Sequence, residues 1–293
     1  LEEANESVII DITSVTNATE FGAQQKTVMI IDDEEPPTVT LFVDQASINE
    51  EGGTTTVRVT LNFASAQDVT VTLGKTGTAT ENVDYTLATT IIIPATVPQA
   101  TATLTSLTDL LDEEEQTVII DIASVINATE NSVQQRTVTI IDNDPLPTVS
   151  LSVGATNIGE LGATSTTSVT ATLSAVSEKI VTATLTKTGT AIETTDYQLA
   201  GSITVPAMAP SAFVTLVAVG DLFDEFDETV VIDITGVTNG TIGSPSQRTV
   251  TIDDDDATPT VTLEVGETTL VEKNGTTSTP VTLTLSAPSN LAV

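Results

Sequence analysis

The densest chemistry in the chain is Asp221-Leu-Phe-Asp-Glu-Phe-Asp-Glu-Thr229, five carboxylates within nine residues, directly ahead of the apolar run Val230-Val231-Ile232-Asp233-Ile234. Like charges at that density repel, so the loop either stays open and solvated or holds a cation. The arrangement recurs at Asp109-Leu-Leu-Asp-Glu-Glu-Glu-Gln-Thr117 before Val118-Ile119-Ile120-Asp121-Ile122. A shortened form, Leu1-Glu-Glu-Ala-Asn-Glu-Ser7, precedes Val8-Ile9-Ile10-Asp11-Ile12. Recurrence in register sets these loops apart from chance surface acids.

The remaining composition narrows what the carboxylates can do. The 293 residues carry 41 acidic and 8 basic side chains, a net charge of −33, which disfavours nucleic acid and anionic membrane surfaces as partners. The chain has no Cys and no His, which excludes disulfides, thiolate or imidazole metal sites, and Ser-His or Cys-His catalysis. No apolar run approaches the ~20 residues of a membrane span. Paired carboxylates can hydrolyse glycosides, but that chemistry needs a desolvated acid in an aromatic-lined cleft. With no Trp and two Tyr, the chain offers neither, and Tyr85 and Tyr197 are read as packing residues. Gly74-Lys75-Thr76 lacks the upstream Gly of a phosphate loop, because position 69 is Val69. Asp142-Asn143-Asp144 opens like an EF-hand loop, yet Pro147 stands where the turn needs Gly. The expectation is a chain that is not an enzyme.

The elements that must position these acids follow from the repeats. Pro37-Thr-Val-Thr-Leu41 returns as Pro147-Thr-Val-Ser-Leu151 and Pro259-Thr-Val-Thr-Leu263, at offsets of 110 and 112. Residues 1–35 are the tail of one repeat, 38–144 and 148–256 are complete, and 260–293 begin another. The extra two residues are assigned to Ala163-Thr-Ser-Thr-Thr167 or its surroundings. The whole is read as a window on a longer repetitive chain. The linkers Pro36-Pro37, Pro145-Leu146-Pro147 and Thr258-Pro259 are short and stiff, so successive repeats are expected to follow one another end to end.

Within a repeat the apolar residues alternate, and the composition, 39% hydrophobic but only 3% aromatic and rich in Thr, favours strands. Seven strands are expected near 38–43, 55–63, 68–73, 89–93, 100–107, 117–123 and 134–141. That makes an all-β fold of tandem seven-stranded, immunoglobulin-like antiparallel sandwiches. Labelled A to G and alternating in direction, the strands bring the A–B, C–D and E–F loops and the end of G to one pole. In residues 38–144 that pole receives Glu50, Glu51, Glu81, Asp84, the acids from Asp109 to Glu115, and Asp142-Asn143-Asp144. In residues 148–256 it receives Glu160, Glu193, Asp196, the acids from Asp221 to Glu228, and Asp253 to Asp256. Calcium takes about six to eight hard oxygen ligands and needs neither nitrogen nor sulfur. A single acidic run is better read as a solvated loop. Four matched segments converging on one pole favour calcium instead, over magnesium, which keeps its own waters.

At this point a family resemblance enters. The third repeat shows Ile158-Gly-Glu160, Lys187-Thr-Gly-Thr-Ala191, Asp196-Tyr197, Asp221, Glu225, Asp227-Glu228-Thr229 and Thr251-Ile-Asp-Asp-Asp-Asp256. The second shows Glu50, Thr76-Gly-Thr-Ala79, Asp84-Tyr85, Asp109, Glu113 and Ile141-Asp-Asn-Asp144. Together these resemble the Calx-β domain of sodium–calcium exchangers and of large bacterial surface proteins. The resemblance implies calcium held by Glu50, Asp84, Asp109, Glu113, Asp142 and Asp144 in one repeat. In the next it implies Glu160, Asp196, Asp221, Glu225, Asp254, Asp255 and Asp256, and in the fragments Glu3, Asp32, Asp33 and Glu272. The pattern departs at Gln116, Asn143 and Asn5, where acids are expected, so the second repeat is expected to bind more weakly.

Asn17-Ala-Thr19, Asn127-Ala-Thr129 and Asn239-Gly-Thr241 are glycosylation sequons at matched positions on the opposite pole. They are better read as turns, with Asn suited to the bend and Thr to the next strand. The functional expectation is a calcium-stiffened stalk or fibre segment of a secreted or cell-surface protein, of bacterial type. Its partners would be calcium ions, neighbouring repeats and other copies in a fibre. A calcium-sensing regulatory pair is the alternative, and a carbohydrate- or protein-binding module the second.

Overall fold

The computed structural model describes residues 3–160, 165–272 and 277–293. It divides into two compact units, Leu1–Leu110 with Glu114–Asp144, and Leu111–Glu113 with Pro145–Val293.

The first unit opens with an antiparallel pair, β1 (Glu6–Asp11) and β2 (Gln25–Ile30). A sandwich follows, built from β3 (Thr38–Val43), β4 (Ser47–Asn49), β5 (Thr54–Leu61), β6 (Val69–Gly77), β7 (Tyr85–Thr86), β8 (Thr90–Ile93), β9 (Gln99–Ser106), β10 (Gln116–Ile126), β11 (Thr129–Glu130) and β12 (Gln135–Ile141). One sheet runs β4-β12-β10-β6-β8 and the other β11-β3-β5-β9-β7. The seven strands expected from the sequence are β3, β5, β6, β8, β9, β10 and β12. The short β4, β7 and β11 carry no alternation long enough to read.

These short pairings matter for the pole. β3 lies in one sheet, antiparallel to β5, and β4 crosses to the other, parallel to β12. The crossover delivers Glu50 to the end of β12, where its N–H donates to the Ile141 carbonyl at 3.0 Å.

The second unit repeats the plan in β13 (Thr148–Val153), β14 (Asn157–Gly159), β15 (Thr166–Leu173), β16 (Val181–Gly189), β17 (Tyr197–Gln198), β18 (Ser202–Val205), β19 (Ser211–Ala218), β20 (Glu228–Thr238), β21 (Thr241–Ile242) and β22 (Gln247–Asp253). It ends in the pair β23 (Val261–Val265) and β24 (Val281–Leu285). Matching β4 to β14 and β5 to β15 puts the two extra residues between β14 and β15. Ala163 and Thr164 of the stretch assigned to that insertion lie outside the described residues.

Strand alternation builds the cores. β5 buries every second residue, and Leu41, Val57, Val59, Ile93, Leu104 and Ile120 lose essentially all solvent contact. Leu151, Val169, Ile203, Leu216, Ile232 and Ile252 do so in the second sandwich. Each such side chain contributes about 1.5–3 kcal/mol, so the acidic poles rest on frames held elsewhere. Tyr85 and Tyr197 are buried in these cores. No helix among the described residues is long and apolar enough to cross a membrane.

Where β6 and β16 end, glycine is required. Gly77 and Gly189 have φ of +123° and +121°, and a Cβ on either would come within 2.0 Å of the Thr117 or Thr229 carbonyl oxygen. Backbone contact with β10 or β20 therefore fixes where each C–D loop departs.

Candidate metal centre

The first sandwich assembles its cluster from a turn and a strand end. Glu50 is 4% exposed, and its Oε1 accepts the Asp109 N–H at 3.1 Å. Its Oε2 is buried without a hydrogen-bond partner. One oxygen each from Glu50, Asp142 and Asp144 lie within 4.8 Å of one another. Burial raises the Glu50 carboxyl above its ordinary pKa, although the Asp109 N–H pulls it down, and the charges of Asp109, Asp144 and Asp142 raise it further. Asp144 is steadied by its own N–H, which donates to Asp142 Oδ1 at 3.2 Å.

In the second sandwich Glu160, Asp221 and Asp256 bring oxygens within the same 4.8 Å. Burial, then the charges of Asp221, Asp254, Glu225 and Asp255, lifts Glu160 from 4.5 to about 7. Glu228 is raised to about 7 as well, by burial, by a side-chain hydrogen bond with Asp196, and by the charges of Asp196 and Glu225. Two carboxyl groups joined by a hydrogen bond must share a proton or face a cation. Buried oxygens without partners recur here at Glu228 Oε2, Asp254 Oδ1 and Asp256 Oδ2.

The C–D loops are prepared locally. Asp84 Oδ2 accepts the Thr80 N–H at 2.5 Å, and Asp196 Oδ2 accepts the Ile192 N–H at 2.6 Å. Lys75 pairs with Glu81 and donates to the Leu87 carbonyl, while Lys187 pairs with Glu193 and donates to the Leu199 carbonyl. Glu81 and Glu193 are thus engaged by lysine, which no spacing rule in the sequence reveals.

The other candidates are more scattered. Asp84 and Glu113 are buried, and Glu113 is counted with the second unit. Glu3, Asp33 and Glu272 are exposed, and Asp32 is half-buried. Asp32 N–H donates to Asn5 Oδ1 at 2.9 Å, and the matching Asp254 N–H donates to Asp227 Oδ1 at 3.2 Å. Position 5 therefore keeps this clamp with an amide in place of an acid.

At the other pole Asn17, Asn127 and Asn239 share positive φ values of 57°, 62° and 54°. Asn127 Nδ2 donates to the Asp68 carbonyl at 2.9 Å, and Asn239 Nδ2 to the Ile180 carbonyl at 3.0 Å. The amide nitrogens that a sugar would modify serve the turn.

No protein-family model matches the chain, and no curated protein matches it. Among solved structures, CBD12 from CALX1.2 is similar over 72% of this chain and 98% of its own, at 14% identity and a TM-score of 0.32. The apo-form Calx CBD1 domain is similar over 37% of this chain and 99% of its own, at 19% identity and a TM-score of 0.32. A two-domain protein of unknown function from Bacteroides fragilis covers 75% of this chain and 93% of its own, at 12% identity and a TM-score of 0.29. These TM-scores are low, and the functional reading rests on this chain's own residues.

Proposed function

We propose that the chain is a run of Calx-β-type repeats whose acidic poles bind calcium, and that it serves as a calcium-stiffened spacer in an extracellular or cell-surface protein. The observation that carries the calcium reading is Glu50. Its carboxylate is almost fully buried, has one oxygen without a partner, and lies within 4.8 Å of two further carboxylates. Charges that close oppose one another by on the order of 3 kcal/mol per pair at an effective dielectric of about 20. A divalent cation with oxygen-only ligands turns that repulsion into attraction. Raised carboxyls near pH 7 would also suit a general acid, but convergence of carboxylate oxygens on one point is what an ion needs.

The spacer role is supported by two complete and two partial tandem copies of one pattern joined by proline linkers. A sensing pair needs only two copies, and the two readings differ in affinity. Extracellular modules bind calcium at about 10^-4–10^-3 M, whereas sensors bind at about 10^-7–10^-5 M.

The test is calorimetric titration and thermal melting of the 293-residue chain with calcium, magnesium and chelator. At calcium 100-fold above Kd each site adds about 2.7 kcal/mol, roughly 10 °C in Tm. Millimolar affinity with a Tm that rises in calcium supports the spacer, and micromolar affinity moves the role to sensing. A chain indifferent to calcium would make these poles solvated acids.

A further inference from the structure

Two aspartates of the acidic loops make contacts of another kind. Asp112 is 3% exposed, and the segment Leu111–Glu113 that carries it belongs to the second unit. Within that unit its Oδ2 accepts the Ser177 hydroxyl at 2.6 Å and its Oδ1 accepts Lys179 Nζ at 2.8 Å. The Asp112 carbonyl also accepts the Glu178 N–H at 3.0 Å. Asp224, 6% exposed and 112 residues further on, repeats the pattern in the same unit. Its Oδ2 accepts the Ser289 hydroxyl at 2.8 Å, and its carbonyl accepts the Asn290 N–H at 3.1 Å. Ser177 and Ser289 are themselves 112 residues apart, so both halves of the contact recur together.

The turn on the receiving side is preformed. Ser177 Oγ accepts the Lys179 N–H at 3.0 Å, Ser289 Oγ accepts the Leu291 N–H at 3.1 Å, and Ser65 Oγ accepts the Gln67 N–H at 3.0 Å. Three copies of one turn keep that shape although their second and third residues differ. A buried carboxylate is costly unless hydrogen-bonded, and here a serine hydroxyl and, in one copy, an ammonium group meet it, while the next backbone N–H donates to the aspartate's own carbonyl.

We propose that Asp112 and Asp224 are docking residues, each holding the Ser-x-x turn between strands B and C of the repeat that follows it in the chain. The partner that fits is a tight turn whose serine hydroxyl and next backbone N–H both face the aspartate. The third residue grades the contact: Lys179 adds an ion pair to Asp112, whereas Leu291 adds none to Asp224. The aspartate–serine bonds involve none of the named candidate calcium ligands, although in the second copy Asn290 Nδ2 also donates to Glu225 Oε1, and the proposal does not rest on the calcium reading.

The test is amide hydrogen exchange on the full chain in calcium, read at Glu178 and Asn290, with Val181 and Val250 as core references. Glu178 should be protected. Ser177→Ala and Asp112→Ala should each speed its exchange about tenfold or more, as expected for loss of a charged hydrogen bond. The double variant should be no faster than the faster single one, because both remove one contact. Ser289→Ala should accelerate Asn290 by a smaller factor, and the core references should not move. Exchange of Glu178 at the rate of an exposed amide, no response to either single variant, or additive effects in the double variant would overturn the proposal. Ser177→Ala leaves every acid in place, so its calcium titration should match the parent chain. A parent chain that binds no calcium would end the calcium reading and leave the docking contact standing.

Discussion

The two sandwiches place carboxylates at the same pole with the same strands, yet the poles differ in how hard they are charged. Around Glu160 the acids are more numerous, and two of them, Glu160 and Glu228, are pushed to about 7. Around Glu50 one carboxyl is raised by burial, and the position matching Glu228 is Gln116. An amide neither titrates nor attracts a cation as a carboxylate does. One frame can therefore carry poles of different strength, with the difference residing in single side chains.

The largest expected effect is on metal-free stability against pH. A group at about 7 in the folded chain and near 4.5 when unfolded binds more protons folded than unfolded between those values. Its stabilisation is complete below 4.5 and is lost as pH rises through about 7. In chelator, Tm of the second sandwich should fall by several degrees from pH 5 to pH 8, and that of the first by less. Calorimetric scans of the chain carrying Glu160→Gln and Glu228→Gln should flatten the steeper dependence. In calcium the trend should reverse, because the ion displaces those protons. Equal slopes for the two sandwiches in chelator would remove the contrast.

A smaller change should nearly erase it by design. Gln116→Glu gives the first pole the acid it lacks and should tighten its calcium binding about tenfold, the gain expected from one more anionic ligand. The measurement is titration of the variant in a chain whose second pole carries Glu160→Gln. No gain would mean that position 116 does not face the ion.

The smallest effect belongs to the opposite poles, where the two sandwiches should behave alike. Asn127→Ala and Asn239→Ala should each cost about 1–2 kcal/mol, since alanine tolerates the left-handed conformation poorly and loses the side-chain hydrogen bond. Glycine at either site should recover part of the loss. Urea denaturation of the four variants would measure it, and a cost confined to one repeat would break the symmetry.

Much of this is legible in the sequence. Alternation in residues such as Val57, Val59 and Leu61 gave the strands, and strand direction brought Glu50 to Asp142 and Asp144, and Glu160 to Asp221 and Asp256. Spacing does not report what each acid does after it arrives. Asp112 and Asp224 meet serine hydroxyls, Glu81 and Glu193 meet lysines, and Asp227 accepts a backbone N–H. These roles depend on which neighbour reaches a given oxygen, a matter of side-chain geometry rather than periodicity. The crossover through β4 was also hidden, because three residues carry no pattern.

Gly77 and Gly189 bear on how such a chain can change over generations. At each the C–D loop leaves the sheet against a backbone carbonyl that any side chain there would strike. Those two glycines, rather than the acids, fix where each loop departs, so exchange among Asp, Glu, Asn and Gln at the ligand positions would leave the departure point in place. Selection acting on one codon at a time could then set a different calcium threshold in every repeat. If the poles bind calcium as proposed, a long array would respond to rising calcium as a graded series of steps rather than a single switch.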